Sequence, residues 1–309
     1  KMIKKIISIA LSCTMLFSTI SCNKKQDIKD EKFNMSKIEN YFIAEKMDSG
    51  TKMESVDFSV CKNGKIYTLG SGIESSYTGE LLFLKNKEDE KFTKVKIPSE
   101  ITNGLSAKYV HDKIYMINSL YDSEEISTTF YELSKEGEIL NKIDENSENL
   151  YFNNYAIDEN DNIFILYKED SLIPKSFLKK YDKDRKEVKS ISLDEVLSND
   201  SFSQSKGYDN IFVNSNGDIY IVENDYSNQN AFTTKIHILN SDFTFKSTIT
   251  NITIPGISQI FKSKKNSIFA ATVQYTTESD YSMLIDEIDL DTNQIVGNYE
   301  IEGILNIFE

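Results

Sequence analysis

A turn followed by Ile and an aromatic residue recurs five times along the 309 residues. The copies read NGKIYTL (63–69), HDKIYMI (111–117), NDNIFIL (160–166), NGDIYIV (216–222) and KNSIFAA (265–271). Aligned on Ile66, Ile114, Ile163, Ile219 and Ile268, the intervals are 48, 49, 56 and 49 residues. A period in this range marks a repeat architecture, in which each unit is one supersecondary element that buries its apolar face only by stacking on the next.

The surroundings of each anchor repeat as well. A short apolar strand precedes it: VDFSV (56–60), AKYV (107–110), YAI (155–157), IFV (211–213) and ISQIF (257–261). After a polar loop comes a third strand: ELLFL (80–84), TFYEL (129–133), FLKKY (177–181), KIHIL (235–239) and MLIDEI (283–288). A turn rich in Asn, Asp, Lys and Gly leads to a fourth: FTKVKI (92–97), EILNKI (138–143), EVKSI (187–191), FTFKSTI (243–249) and QIVGNYEI (294–301). The expected fold is therefore all-β, a β-propeller of four-stranded antiparallel blades. Its blades fall at about 55–100, 105–146, 154–197, 208–254 and 256–302. The terminal GILNIFE (303–309) matches GISQIFK (256–262), which opens the fifth repeat, and so reads as the first strand of a sixth, truncated blade. Alternatively, Ile304–Phe308 joins Tyr41–Ile43 from the apolar stretch IENYFIAEKM (38–47) in a degenerate closing blade.

The fourth repeat, residues 211–249, carries a strand, an Asn-Gly turn, the strand IYIV and a third strand ending in a turn. In this it resembles six-bladed propellers of the NHL and TolB-like type. The resemblance covers residues from about 55 to 309 and implies architecture only. The WD signature, the sialidase Asp-box and the Trp-rich quinoprotein motif are all absent from the sequence.

The N-terminus reads as a sorting signal. Lys4 and Lys5 precede the apolar run IISIALSCTMLFSTI (6–20), which is short for a membrane span. Small Ser21 then precedes Cys22, an arrangement that resembles a bacterial lipobox. That resemblance implies cleavage after Ser21 and lipidation of Cys22, although Thr19 stands where the pattern prefers Leu. Residues 1–21 are then signal peptide, residues 22–36 the lipidated Cys and a polar tether, and residues 37–309 the propeller domain. The tether NKKQDIKDEKFNMS (23–36) reaches roughly 20 Å as a flexible coil. The expected location is the bacterial cell envelope, on its extracytoplasmic side.

Charge narrows the partners. The whole chain has a formal charge of −14, and loss of residues 1–21 leaves 32 basic against 49 acidic residues, a charge of −17. Nucleic acid is a poor partner for such a surface, and membrane contact is expected through the lipid anchor alone. Cys61 is the one thiol outside the signal and Cys22, and two His complete the soft ligands, so no zinc site is expected.

The loops between second and third strands are long: 70–79, 118–128, 167–176, 223–234 and 274–282. In a propeller these emerge on one face, the usual place for binding. Each carries Tyr and carboxylates, so Tyr77, Tyr121, Tyr167, Tyr226, Tyr275 and Tyr281 are the candidate ligand contacts, for a protein, peptide or glycan. His111 in a tight turn and His237 in a third strand read as surface or packing residues. DENDN (158–162) lacks the glycine and distal Glu of a calcium loop and reads as a turn. No catalytic constellation and no cofactor motif is visible, so a binding scaffold is the expected function. The alternative is a Ca-dependent lactonase-like or carbohydrate-active propeller enzyme, for which Asp57, Asn153, Asn154, Asp209 and Asn210 are the channel-strand candidates.

Overall fold

The structure is a computed structural model. It describes residues 42–43, 53–60, 66–72, 81–84, 93–96, 98–101, 104–121, 126–145, 150–171, 174–197, 206–227, 233–262, 266–275, 281–302 and 307–308. After β1 (Phe42–Ile43) come four-stranded antiparallel sheets whose spatial order follows the chain. The first holds β2 (Met53–Val60), β3 (Ile66–Gly72), β4 (Leu81–Leu84) and β5 (Thr93–Lys96). The second holds β6 (Gly104–Val110), β7 (Lys113–Tyr121), β8 (Ile126–Ser134) and β9 (Ile139–Glu145). The third holds β10 (Leu150–Ile157), β11 (Ile163–Glu169), β12 (Ser176–Tyr181) and β13 (Glu187–Ser192), followed by one helical turn, α1 (Leu193–Val196). The fourth holds β14 (Lys206–Val213), β15 (Ile219–Asp225), β16 (Thr233–Leu239) and β17 (Phe245–Ile249). The fifth holds β18 (Gln259–Lys262), β19 (Ser267–Tyr275), β20 (Tyr281–Asp289) and β21 (Gln294–Glu302). Finally β22 (Ile307–Phe308) pairs antiparallel with β1, Phe42 opposite Phe308 and Ile43 opposite Ile307, and lies against β2. That pairing joins the two segments, GILNIFE and IENYFIAEKM, that the sequence left without a blade of their own.

Burial in the third sheet falls from the second strand outward. Residues 163–167 of β11 are all buried, whereas Glu187–Ser190 of β13 are all exposed. β11 is covered on one face by the second sheet and on the other by the fourth, so its apolar residues run continuously instead of alternating. Ile114, Ile163, Ile219 and Ile268 are fully enclosed and oppose Leu133, Tyr181, Leu239 and Ile288 at the ends of their third strands. Between the second and third sheets, Tyr115, Ile117 and Phe130 meet Phe152, Tyr155 and Tyr167. The Phe130 and Tyr155 rings are edge to face with centroids 4.9 Å apart. Each such ring contributes roughly 1.5–3 kcal/mol through burial.

The polar turns explain the register. In the turns between third and fourth strands, Ser134, Asp182 and Asn240 open the turn. The backbone N–H of Gly137, Arg185 and Phe243 donates back to their carbonyls at 2.8–3.0 Å. The donating residue is left-handed in all three, with φ of 90°, 63° and 69°. That is a type I turn closed by a bulge. A side chain there costs roughly 1–2 kcal/mol relative to Gly, and burial offsets it. Phe243 is 2% exposed and packs on Phe164 of the preceding sheet, and Arg185 enters the seam one sheet earlier. Asp158 folds DENDN as a turn: its Oδ1 accepts from the Asn160 and Asn162 amides, and its Oδ2 from the Asn162 side chain. His111 and Asp112 both have positive φ, as a two-residue hairpin turn requires.

Two expectations need correction. The first strands of the second, third and fourth sheets begin several residues before the apolar cores that marked them: at Gly104, Leu150 and Lys206, not at 107, 155 and 211. Each contains a bulge that breaks the two-residue alternation, so the apolar pattern of a single strand is interrupted. Tyr167 does not stand in a loop. It lies in β11 opposite Phe177, 1% exposed, with its hydroxyl 2.7 Å from that of Tyr181.

Candidate functional site

Polar residues at the bulges of the first strands form a hydrogen-bonded belt between sheets. The register of β10 against β11 skips Asn153, and that of β14 against β15 skips Asp209. Each bulged residue stands ten positions before its anchor Ile, so the two occupy equivalent places in neighbouring sheets. Asn153 Nδ2 donates to the Tyr208 carbonyl at 2.6 Å. Asn154 Nδ2 donates to the Asp209 carbonyl at 2.9 Å and to Asn210 Oδ1 at 3.0 Å. Asn210, the next equivalent of Asn154, donates to the Ser258 and Ile257 carbonyls at 3.2 and 3.4 Å. Two amides of the third sheet and one of the fourth thus reach the backbone that follows in the next unit. Leu105 occupies this place in the second sheet; three residues on, Lys108 Nζ donates to the Tyr155 carbonyl at 2.7 Å.

Asp209 is the charged member of this edge. Its Oδ2 accepts from Asn224 Nδ2 at 2.9 Å and from the Tyr226 hydroxyl at 3.0 Å. Gly207 leaves it room, because a Cβ there would stand 2.7 Å from Asp209 Oδ1. Asn224, 2% exposed, fixes the connector into the fifth sheet. Its Nδ2 also donates to the Ile257 carbonyl, and its Oδ1 accepts from the Ile257 amide and the Thr234 hydroxyl. Thr234 in turn accepts from the Gly256 amide at 3.0 Å. On the same end, burial pushes the Asp225 carboxyl up, but hydrogen bonds from Ser227 and the charges of Lys206 and Lys235 outweigh it and hold it below its ordinary value.

Two further polar networks tie the molecule together. In the fourth sheet, His237 donates or accepts at both ring nitrogens, 3.0 Å from Glu223 Oε2 and 3.0 Å from Thr248 Oγ1. The order Thr–His–Glu is that of a nucleophile, a base and an orienting acid. The imidazole is 0% exposed, however, so no substrate reaches it and the line serves to bind β15, β16 and β17 together. At the opposite end, Arg185 Nε donates to Glu132 Oε2 at 2.6 Å, and its Nη1 donates to the Asp161 and Asp182 carbonyls. Lys113 Nζ lies 2.6 Å from Glu132 Oε1, Asn141 donates to Glu132 Oε2, and His111 Nδ1 sits 2.5 Å from Asp161 Oδ1. Burial pushes the Glu132 carboxyl up, yet the bonds from Arg185 and Lys113 together hold it below the ordinary range.

Of the sequence-predicted contacts, Tyr226 joins the belt through Asp209. Tyr167 belongs to the core. Tyr121 ends β7, Tyr275 ends β19 and Tyr281 begins β20, where Tyr275 and Tyr281 are register partners. Tyr77, Ser21 and Cys22 lie outside the described residues, as do the signal and tether. Of the five channel-strand candidates, Asn153, Asn154, Asp209 and Asn210 are brought together, while Asp57 lies in β2 opposite Leu69. Asn224 and Gly207 were missed. The Asn-Asn and Asp-Asn doublets ten and nine residues before Ile163 and Ile219 were the available signal. Among the described residues, no group of three or more His, Cys, Asp and Glu is placed to hold a metal ion.

No protein-family model and no curated protein matches the chain. Solved structures match in fold at low identity. One is a subtype N10 neuraminidase-like protein of A/little yellow-shouldered bat/Guatemala/060/2010, with 11% identity and a TM-score of 0.51 over 84% of this chain and 85% of that one. A member of the duf4221 family from Bacteroides vulgatus shows 13% identity and a TM-score of 0.47 over 86% of this chain and 88% of that one. The WD40 domain of Toxoplasma gondii coronin shows 10% identity and a TM-score of 0.44, covering 84% and 75%. What this chain shares with the first of these is an all-β fold of repeated, blade-like four-stranded sheets.

Proposed function

We propose that this chain is an extracytoplasmic binding scaffold, tethered through a lipid on Cys22, whose sheets close into a six-bladed ring of the NHL or TolB-like kind. The sixth blade is the β1–β22 pair. Support for closure comes from that pairing and from the position of β22 against β2. The ligand sits on the axis, at the end from which the long loops emerge.

One observation carries the binding reading: the first strands of the third and fourth sheets, which line the axis in the proposed ring, carry bulges at Asn153 and Asp209. A polar edge that also presents an open carboxylate oxygen suits a ligand better than it suits packing. The candidate partners are a protein, peptide or glycan; the net charge argues against nucleic acid.

The full chain, held in detergent micelles, would be applied to glycan and peptide arrays beside an N153A/D209A variant. Selective binding that the variant loses supports the scaffold. Binding of nothing, or binding indifferent to the variant, overturns it. Labelling of cells with an alkyne fatty acid tests the anchor: wild type carries the label and Cys22→Ser does not.

A further inference from the structure

We propose that the Asp209 site takes a cationic hydrogen-bond donor, an ammonium or guanidinium group, carried by a polyamine or by a basic side chain of a peptide. The inference rests on the binding reading above and names its ligand chemistry.

The argument is a donor and acceptor inventory of the belt. Both N–H groups of Asn154 are used, on the Asp209 carbonyl and Asn210 Oδ1. Both of Asn210 are used on the Ile257 and Ser258 carbonyls. Both of Asn224 are used on Asp209 Oδ2 and the Ile257 carbonyl. Asn153 spends one on the Tyr208 carbonyl, and Tyr226 gives its proton to Asp209. The acceptors are used unevenly. Asn154 Oδ1 takes the Tyr155 amide, and Asn224 Oδ1 takes Thr234 and Ile257. Asp209 Oδ1 and Asn153 Oδ1 accept nothing among the described residues. Asn153 bonds the carbonyl of Tyr208, the residue before Asp209, so both acceptors belong to the seam between the third and fourth sheets.

The edge therefore consumes its donors in holding the sheets together and keeps acceptors, one of them charged. A sugar hydroxyl both gives and accepts, and finds one spare N–H here. A carboxylate or phosphate finds repulsion. An ammonium or guanidinium group gives only, and carries the charge for which Asp209 has no ion-pair partner among the described residues. Tyr226, bonded at 3.0 Å, sets an aromatic ring beside the carboxylate, the company a cation favours. Asp225 adds a second negative charge at this end, against which Lys206 and Lys235 act, and the chain as a whole is acidic.

Asp209→Asn separates this reading from a structural one. The new side chain can turn its oxygen to Asn224 and Tyr226, keeping both bonds, and point its NH2 where the open acceptor was. Calorimetric titration of the full chain in micelles would use spermidine, triarginine, triglutamate and maltotriose. Spermidine or triarginine is expected to bind, more weakly as salt rises, and about tenfold more weakly to D209N at unchanged melting temperature. Asn153→Ala is expected to weaken the same probe several-fold, a second readout should D209N unfold. A preference for spermidine identifies a free polyamine as the source, and a preference for triarginine identifies a peptide. Binding of maltotriose or triglutamate without either cation overturns this inference but leaves a scaffold. Equal affinity of wild type and both variants for the cation also overturns it. Binding of no probe overturns it, and binding of nothing on the arrays as well removes both readings.

Discussion

Arg185→Ala tests whether the seam between the second and third sheets is held by the pair of Arg185 and Glu132. The two side chains are 5% and 2% exposed, and their contact is 2.6 Å. Removing one member of a buried pair costs about 3–5 kcal/mol, because the other charge stays buried. Lys113 at 2.6 Å and Asn141 at 2.9 Å still face Glu132, so the low end, about 3 kcal/mol, is expected. Ala keeps the left-handed backbone of φ 63° that Arg185 adopts. Arg185→Gly relieves it and should be about 1 kcal/mol more stable than Arg185→Ala. At roughly 2–4 °C per kcal/mol for a body of this size, the melting temperature of Arg185→Ala falls by about 6–12 °C. Urea unfolding followed by far-UV circular dichroism measures both. The pH dependence adds a check. The Glu132 carboxyl is held below its unfolded value, so its contribution is present above about pH 4 and is lost as pH falls through the folded value. The deficit of Arg185→Ala should therefore be larger at pH 7 than at pH 3. An Arg185→Ala protein within about 0.5 kcal/mol of wild type, a glycine variant no better than alanine, or a deficit flat in pH would each refute the reasoning.

Asn154→Ala removes the amide that reaches the Asp209 carbonyl and Asn210. About 1–2 kcal/mol should be lost, with faster hydrogen exchange across residues 206–213. Phe243→Ala empties a buried site against Phe164 and should cost about 3 kcal/mol by the same unfolding assay. Gly217→Ala and Gly256→Ala make a matched pair, both at positive φ. At Gly217 a Cβ would also stand 3.2 Å from Ser241 Cβ, while at Gly256 nothing lies within 4 Å. Gly256→Ala should cost about 1 kcal/mol and Gly217→Ala more, and equal midpoints would count against the crowding.

Local chemistry made the repeat legible. An Ile-aromatic pair after a polar turn can be read because turn residues and β-branched strands are chosen by their own backbone geometry. Anchor residues Ile114 to Ile268 accordingly take equivalent buried places. Asp158–Asn162 is a turn because Asp158 hydrogen bonds its own neighbours, which spacing alone conveys. What stayed hidden depends on contacts between sheets. Asn153 and Asn154 of β10 bond a neighbour 55 residues away, and no local period records that. Tyr167 looked like a loop residue because its strand's end has no local marker; stacking against the second sheet decided its burial. The same stacking placed Arg185 against Glu132, 53 residues apart, and left Asp209 with one oxygen held and one open. Backbone preference is a property of a few adjacent residues and is written in their order. Which donors are spent and which acceptors remain is settled only when separate sheets meet.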